Sequence, residues 1–336
     1  MAVDLAPVAR SMPEGLTVRT AAHDDIERVT EFLNRFATPA QWTSPSAARK
    51  FEELNPEPNR LALVVDDASG NIQAFGAVTD GGLFASPDRS WRAMLRVAPP
   101  WRRRGIARSL LGPLEAHARE HQASRVISGV RGDEPEGLAF AKVAGYTPYH
   151  ERIDAYIDVQ RFDPAPFEDP DAIASRAGVR VRSYAEIVRE RAATLEAFQR
   201  EALPAIWKMA RDVPSPTPFP EQPPPFEQAR KMFFESPDMS AEATIWALRG
   251  DAVVGISATV LKENGVAYTN FTGVARDERG KAIALAMKLR ALRELKKVGA
   301  RLFGTTNDEQ NAAMRGINRR LGYRPEPPTT VVEKKL

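Results

Sequence analysis

The chain has 336 residues, 43% of them apolar and 27% charged, enough for two packed cores and too apolar for disorder throughout. It has no cysteine, which excludes disulfides, thiolate metal sites, iron–sulfur clusters and a cysteine nucleophile. A net charge of +3, from 47 basic against 44 acidic residues, is too balanced to imply nucleic-acid binding, and no apolar run is long enough to span a membrane. Met1–Leu16 lacks the basic-then-apolar order of a secretory leader, so the expected location is the cytoplasm.

Thr17–Thr20 reads as a short strand, and Ile26, Val29, Phe32, Leu33 and Phe36 then share one face at helical spacing. Leu61–Val65 and Ala74–Val78 flank the turn signal Asp66-Asp67-Ala68-Ser69-Gly70-Asn71 and predict a hairpin. Trp91–Val97 is a further strand. A helix anchored by Ile106, Leu110, Leu111, Leu114 and Ala118 follows, with Pro113 expected to kink it. His117 and His121 lie four apart on that helix, but flanking Glu115, Arg119 and Glu120 read as a solvated face rather than a metal site. Strand Arg125–Val130 and a last helix lead to Gly145-Tyr146. Arg161–Arg176, with three prolines and four acids, reads as a linker.

The same order then recurs. Strand Arg180–Ser183, a helix, hairpin strands Thr244–Leu248 and Val253–Thr259, strand Ala267–Val274, a helix, strand Arg301–Thr305 and a last helix lead to Gly322-Tyr323. Val97 matches Val274 and Gly145 matches Gly322, both at an offset of 177, so two landmarks keep one register. Leu16–Thr20 matches Val179–Ser183 at an offset of only 163, so the second copy has gained about 14 residues before its central motif. Eight prolines between Pro204 and Pro225 place that gain and predict extended loop, either a surface loop or the wall of a cleft beside Trp207. Trp42, Trp207 and Trp246 are expected in the core. The fold expected is α+β: residues 1–160 and 177–336 as two domains joined by 161–176, each a mixed, mostly antiparallel sheet flanked by helices, with the proline-rich insert near 204–226.

The chemistry points to the strand-to-helix junctions. A helix N-terminus leaves backbone N–H groups unpaired and carries partial positive charge, so it attracts anions. At Arg102-Arg103-Arg104-Gly105-Ile106-Ala107 the small Gly105 and Ala107 let a ligand approach the backbone, and arginines add charge. Neither GxxxxGK[ST] nor GxGxxG is present, which excludes a P-loop and the dinucleotide fingerprint.

Val97-x-Pro99-x-x-Arg102-x-x-Gly105-Ile106-Ala107, with Gly145-Tyr146 about 40 residues on, resembles the GNAT superfamily of acyl-CoA N-acyltransferases. The resemblance repeats more loosely at Arg279, Ala282 and Ala284, so nearly the whole chain reads as two tandem copies. It implies that acetyl-CoA is the co-substrate and that its pyrophosphate sits on loops Arg102, Arg103, Arg104, Gly105, Ile106, Ala107 and Arg279, Gly280, Lys281, Ala282, Ile283, Ala284. It further implies that the preceding strands, at Leu95 and Val97 and at Thr272 and Val274, splay from their neighbours to pair with the pantetheine arm. Asn311 stands at the family's usual asparagine, where the first copy has Glu134.

The departures concern acid–base residues. The family's tyrosine, four before the final glycine, is Ala141 in one copy and Asn318 in the other, and neither splayed strand carries the usual glutamate. Catalytic candidates are Glu134, Tyr268 and Asn318, with Asp133, Asp308 and Glu309 as ends of a water relay. Ala282 replaces the loop glycine and adds a methyl near the phosphates. The expected activity is acetyl transfer from acetyl-CoA to a primary amine, on a small-molecule or peptide acceptor, in a ternary complex. The alternative is a non-catalytic acyl-CoA-binding or regulatory protein with the same fold. No metal, nucleic-acid or membrane partner is expected, and the chain is expected as a monomer or homodimer. The second copy is favoured as the substrate-processing half for its insert, Asn311 and the polar strand Tyr268-Thr269-Asn270-Phe271-Thr272.

Overall fold

A computed structural model describes residues 3–336. The first repeat runs α1 (Ala6–Arg10), β1 (Leu16–Thr20), α2 (Ile26–Asn34), α3 (Pro45–Leu54), β2 (Leu61–Asp67), β3 (Ile72–Thr79), β4 (Ser90–Val97), α4 (Ile106–Glu120), β5 (Arg125–Arg131), α5 (Pro135–Val143) and β6 (Thr147–Asp158). The second runs α6 (Pro170–Arg176), β7 (Arg180–Ser183), α7 (Tyr184–Glu190), α8 (Leu195–Arg211), α9 (Phe226–Ala229), β8 (Ile245–Arg249), β9 (Ala252–Leu261), β10 (Val266–Val274), α10 (Ile283–Lys297), β11 (Leu302–Asp308), α11 (Ala312–Leu321), β12 (Arg324–Pro325) and β13 (Thr329–Lys335).

The chain divides into two compact units whose membership does not follow the repeat order. One comprises 1–151, 216–220 and 329–336; the other comprises 152–215 and 221–328. In the N-terminal unit the strand order is β1-β2-β3-β4-β5-β13, antiparallel except for β4 against β5. Leu63, Val65, Ala74 and Val78 on the sheet bury against Ile106, Leu110 and Leu114 of α4, which carries Pro113 within its span. Ser44 caps α3, accepting from the Ala47 N–H at 3.3 Å, and Pro45 opens the helix where its missing N–H has no partner to lose.

In the C-terminal unit the order is β7-β8-β9-β10-β11-β6, again antiparallel except for β10 against β11. Helix α10 buries Ile283, Met287, Leu292 and Leu295 against Ala247, Ala267 and Phe303. On the opposite face, Phe198, Ala202 and Met209 of α8 pack with Trp246, Ile256 and Phe234. The segment 161–176 ends in α6, whose Ile173 and Ala174 are part of this core.

The proline-rich region corrects one expectation. Pro204 is not in a loop but inside α8. Buried Leu203 on one side and Trp207 on the next turn bind that stretch to the core, which offsets the one helical hydrogen bond that proline removes. Trp207 is buried beside Phe233, ring centroids 6.4 Å apart, and so packs in the interior rather than flooring an open cleft.

Candidate functional site

Each unit contains a fork. In the N-terminal unit β4 pairs with β5 only from Ser90/Arg125 to Arg92/Ile127. In the C-terminal unit β10 pairs with β11 from Val266/Leu302 to Thr269/Thr305. Beyond those points the parallel partners part, and one edge of Ala93–Val97 and of Asn270–Val274 is left without that partner's hydrogen bonds. Leu95, Val97, Thr272 and Val274 therefore lie on the separating arms. Thr272 is tied to Ser257, hydroxyl to hydroxyl, at 3.2 Å.

The two forks differ in one detail. β4 is regular, whereas β10 carries a bulge at Asn270, between the pairs Thr269↔Thr259 and Phe271↔Ala258. An inserted residue shifts the alternation of side chains and leaves backbone groups outside the ladder, as at many functional sites.

Each arm runs into a tight loop at the N-terminus of a long helix. Two residues per loop are left-handed: Arg103 (φ 63°) and Gly105 (φ 86°) in one, Gly280 (φ 80°) and Ala282 (φ 60°) in the other. Each pair thus contains one glycine and one residue that bears a Cβ in a disfavoured region. Arg102 donates from Nε to the Val97 carbonyl at 3.1 Å, and Arg279 donates likewise to Val274 at 3.0 Å, so both loops are tied back to their strands. Ile106 and Ile283 are buried and anchor the helices, while Ala107 and Ala284 are half-buried behind the loops.

Electrostatics separate the loops. In the first, Arg103 and Arg104 form no ion pair among the described residues, although Arg104 lies 4.9 Å over the Trp101 ring; Arg102 is 3.6 Å from Glu136. In the second, Arg279 meets Asp212 at 2.8 Å and Lys281 meets Glu278 at 2.8 Å. Hydrogen bonds from Arg249 and Lys281 hold the Glu278 carboxyl well below the ordinary range, and a hydrogen bond from Arg276 lowers that of Asp212. A surface cleft of about 620 Å³ adjoins this loop, lined by Ile173, Arg176, Arg249, Gly280, Lys281 and Ala282.

The remaining candidates are dispersed. Glu134 stands at the N-cap position of α5 without a capping bond, and its neighbour Asp133 is held by Arg131 at 2.9 Å. Asn311 caps α11, its Oδ1 accepting from the Met314 N–H at 3.2 Å. Asn318 is buried, donates from Nδ2 to Asn307 and leaves its Oδ1 without a partner among the described residues. Tyr268 lies next to the vertex of the C-terminal fork, its hydroxyl bonded to Thr306, which in turn is bonded to Asp154. Burial pushes the Tyr268 phenol up to about 12. Sequence reading missed Thr306, Asn307 and Asp154, because only strand pairing across about 150 residues brings Asp154 beside Thr306.

On the helix of the N-terminal unit, His117 contacts the Asn59 carbonyl at 2.9 Å and lies against His121, the rings tilted with centroids 4.2 Å apart, near Trp91. The face read as solvated is partly closed: Glu115 is buried and bonded to Lys334 at 2.6 Å.

Comparison with known proteins fits this geometry. Residues 26–146 match the family described as Acetyltransferase (GNAT) family. The chain is similar to a GCN5-related N-acetyltransferase from Sphaerobacter thermophilus, at 19% identity and a TM-score of 0.69, with 96% of each chain covered. It is similar to a tandem GNAT protein from the clavulanic acid biosynthesis pathway, at 20% identity and a TM-score of 0.67, covering 95% of this chain and 98% of that one. The protein is a tandem GNAT-fold chain. No curated protein matches it. The family match lies in the N-terminal unit, and the fold similarity spans the rest of the chain. Among the described residues no helix is long and apolar enough to cross a membrane.

Proposed function

We propose that this protein is an N-acyltransferase that moves an acetyl group from acetyl-CoA directly to a primary amine within a ternary complex. The observation that carries the reading is the coincidence, in both units, of a forked parallel strand pair with a left-handed loop at a helix N-terminus. A free strand edge suits the amides of a pantetheine arm, and unpaired helix N–H groups suit a pyrophosphate. Residues Arg102–Ala107 and Arg279–Ala284 would hold the phosphates. Holding thioester and amine in one geometry is worth roughly 7–11 kcal/mol of the barrier, so acyl transfer needs few side chains.

The C-terminal unit is the proposed place of transfer. Its fork carries the bulge at Asn270 and the hydroxyl of Tyr268, and buried Asn318 stands where the N-terminal unit has buried Ala141. For the N-terminal unit we propose acyl-CoA binding without turnover, supported by Arg103 and Arg104, which form no ion pair among the described residues and favour anions there.

Calorimetry of acetyl-CoA on the intact chain, followed by CoA release with a panel of primary amines, tests this. Binding with turnover of an amine is expected. Saturable binding without turnover of any amine would leave a binder, and no binding at all would overturn the reading.

A further inference from the structure

The fork of the C-terminal unit holds a hydrogen-bonded chain that the reading above leaves unassigned. Tyr268 on β10 is registered opposite Gly304 on β11, and Thr306 on β11 is registered opposite Asp154 on β6. Side chains alternate along strands, so Tyr268, Thr306 and Asp154 share the sheet face away from Ala267, Phe303 and Ala155, which pack in the α10 core. Gly304 opens the path between them. A Cβ there would stand 2.6 Å from the Tyr156 ring and 2.9 Å from the Tyr268 ring, so only glycine lets Tyr268 lie across β11 towards Thr306.

The direction of the chain follows from proton counting. A threonine hydroxyl has one proton, and Thr306 gives it to the Asp154 carboxylate, which has none to give when ionised. Thr306 therefore accepts from the Tyr268 hydroxyl. Burial keeps Tyr268 a protonated phenol at neutral pH, while Asp154, at the far end, is partly exposed and reaches water. The inner end lies next to the vertex, where β10 and β11 part and β10 bulges.

We propose that Tyr268, Thr306 and Asp154 form the route by which the attacking amine loses its proton, an inference that rests on acyl transfer occurring in this unit. As the nitrogen bonds to the thioester carbonyl carbon, its proton passes to Tyr268 Oη. The phenol proton passes to Thr306 Oγ1, and the threonine proton passes to Asp154. The carbon–sulfur bond breaks, the thiolate takes a proton from water, and Asp154 returns its proton to solvent. Tyr268 is the catalytic residue of the route; Thr306 and Asp154 are positioning residues that act through it.

The test uses the full-length chain, acetyl-CoA and the amine selected by the panel, with Thr306→Val, Thr306→Ser and Asp154→Asn variants. Thr306→Val and Asp154→Asn are expected to lower kcat about 100-fold at pH 7, with the Kd for acetyl-CoA held within about 2-fold. The deficit should shrink as pH rises and hydroxide takes over the proton, and Thr306→Ser, which keeps the hydroxyl, should recover most of the rate. Asp154→Asn sits at a partly exposed site and retains a readout even where Thr306→Val folds poorly. Activity of both variants within about 3-fold of the parent at pH 7 overturns the relay, as does a Thr306→Ser loss equal to that of Thr306→Val. A parent chain that binds acetyl-CoA but turns over no amine, or binds none, overturns the functional reading itself, and the relay with it.

Discussion

At the scale of single residues, the least expected group is Lys288. It is fully buried in α10, with Nζ 5.6 Å from the Phe303 ring and 5.2 Å from the Tyr323 ring, and among the described residues neither Nζ nor the Tyr323 hydroxyl has a hydrogen-bond partner. The first repeat has buried Leu111 at the corresponding position, so the apolar alternative fits this fold. Burial pulls Lys288 down to about 7 from an ordinary 10.5 and pushes Tyr323 well above 10, so the tyrosine stays neutral through this range. Between pH 7 and 10.5 the unfolded chain holds a proton on Lys288 that the folded chain has lost. Stability therefore rises with pH through that window, and below it the whole cost of the buried charge is present. Lys288→Met should stabilise the protein at pH 7 by roughly 1–3 kcal/mol and remove most of this rise. Urea unfolding of both chains at pH 7 and pH 9 measures it; an equal gain with pH in parent and variant would show that Lys288 is not the titrating group.

At the scale of elements, the two loops show what a sequence reveals and what it hides. Their position was legible because a fixed offset of 177 residues ties them to the closing Gly-Tyr pairs, and the strand-to-helix junction is a local feature. The left-handed backbone at Arg103 was not legible, since arginine carries no signal for positive φ. Nor was the pairing of Arg279 with Asp212, which depends on where α8 ends, nor the course of α8 through Pro204, which tertiary burial decides against local propensity. Ala282 lends itself to a direct experiment. Its φ of 60° costs about 1–2 kcal/mol relative to a right-handed residue, while glycine would add about 0.4–1 kcal/mol of unfolded-chain entropy to lose. Ala282→Gly should thus leave the melting temperature unchanged or slightly raised. Because it also removes a methyl from the exposed rim of the loop, acetyl-CoA should bind this unit several-fold more tightly by calorimetry. Weaker or unchanged binding would mean that the ligand does not approach the loop backbone there.

At the scale of the whole molecule, the repeats read from the sequence differ in membership from the two compact units. The last strand of the chain, β13, completes the N-terminal sheet, pairing with β5 from Thr329↔Arg131 to Lys335↔Arg125, and residues 152–158 of β6 complete the C-terminal sheet against β11. Periodicity shows that a segment is a strand, but its partner is fixed by long-range packing, which repeat arithmetic cannot see. The exchange makes the tail structural. Val331 and Val332 are buried, Glu333 pairs with Arg125 at 2.5 Å, and Lys334 pairs with buried Glu115 at 2.6 Å. Ending the chain at Pro328 removes these partners together. It opens the long edge of β5, removes the Lys334 ammonium from the Glu115 carboxylate, and exposes the apolar surface that the two valines cover. Hydrogen exchange on the shortened chain should show amides of β5 losing protection while those of β9 and β10 keep it. Undiminished protection in β5 would mean that the N-terminal sheet is complete without the tail, and that the repeat boundary, not the strand exchange, marks the folding unit.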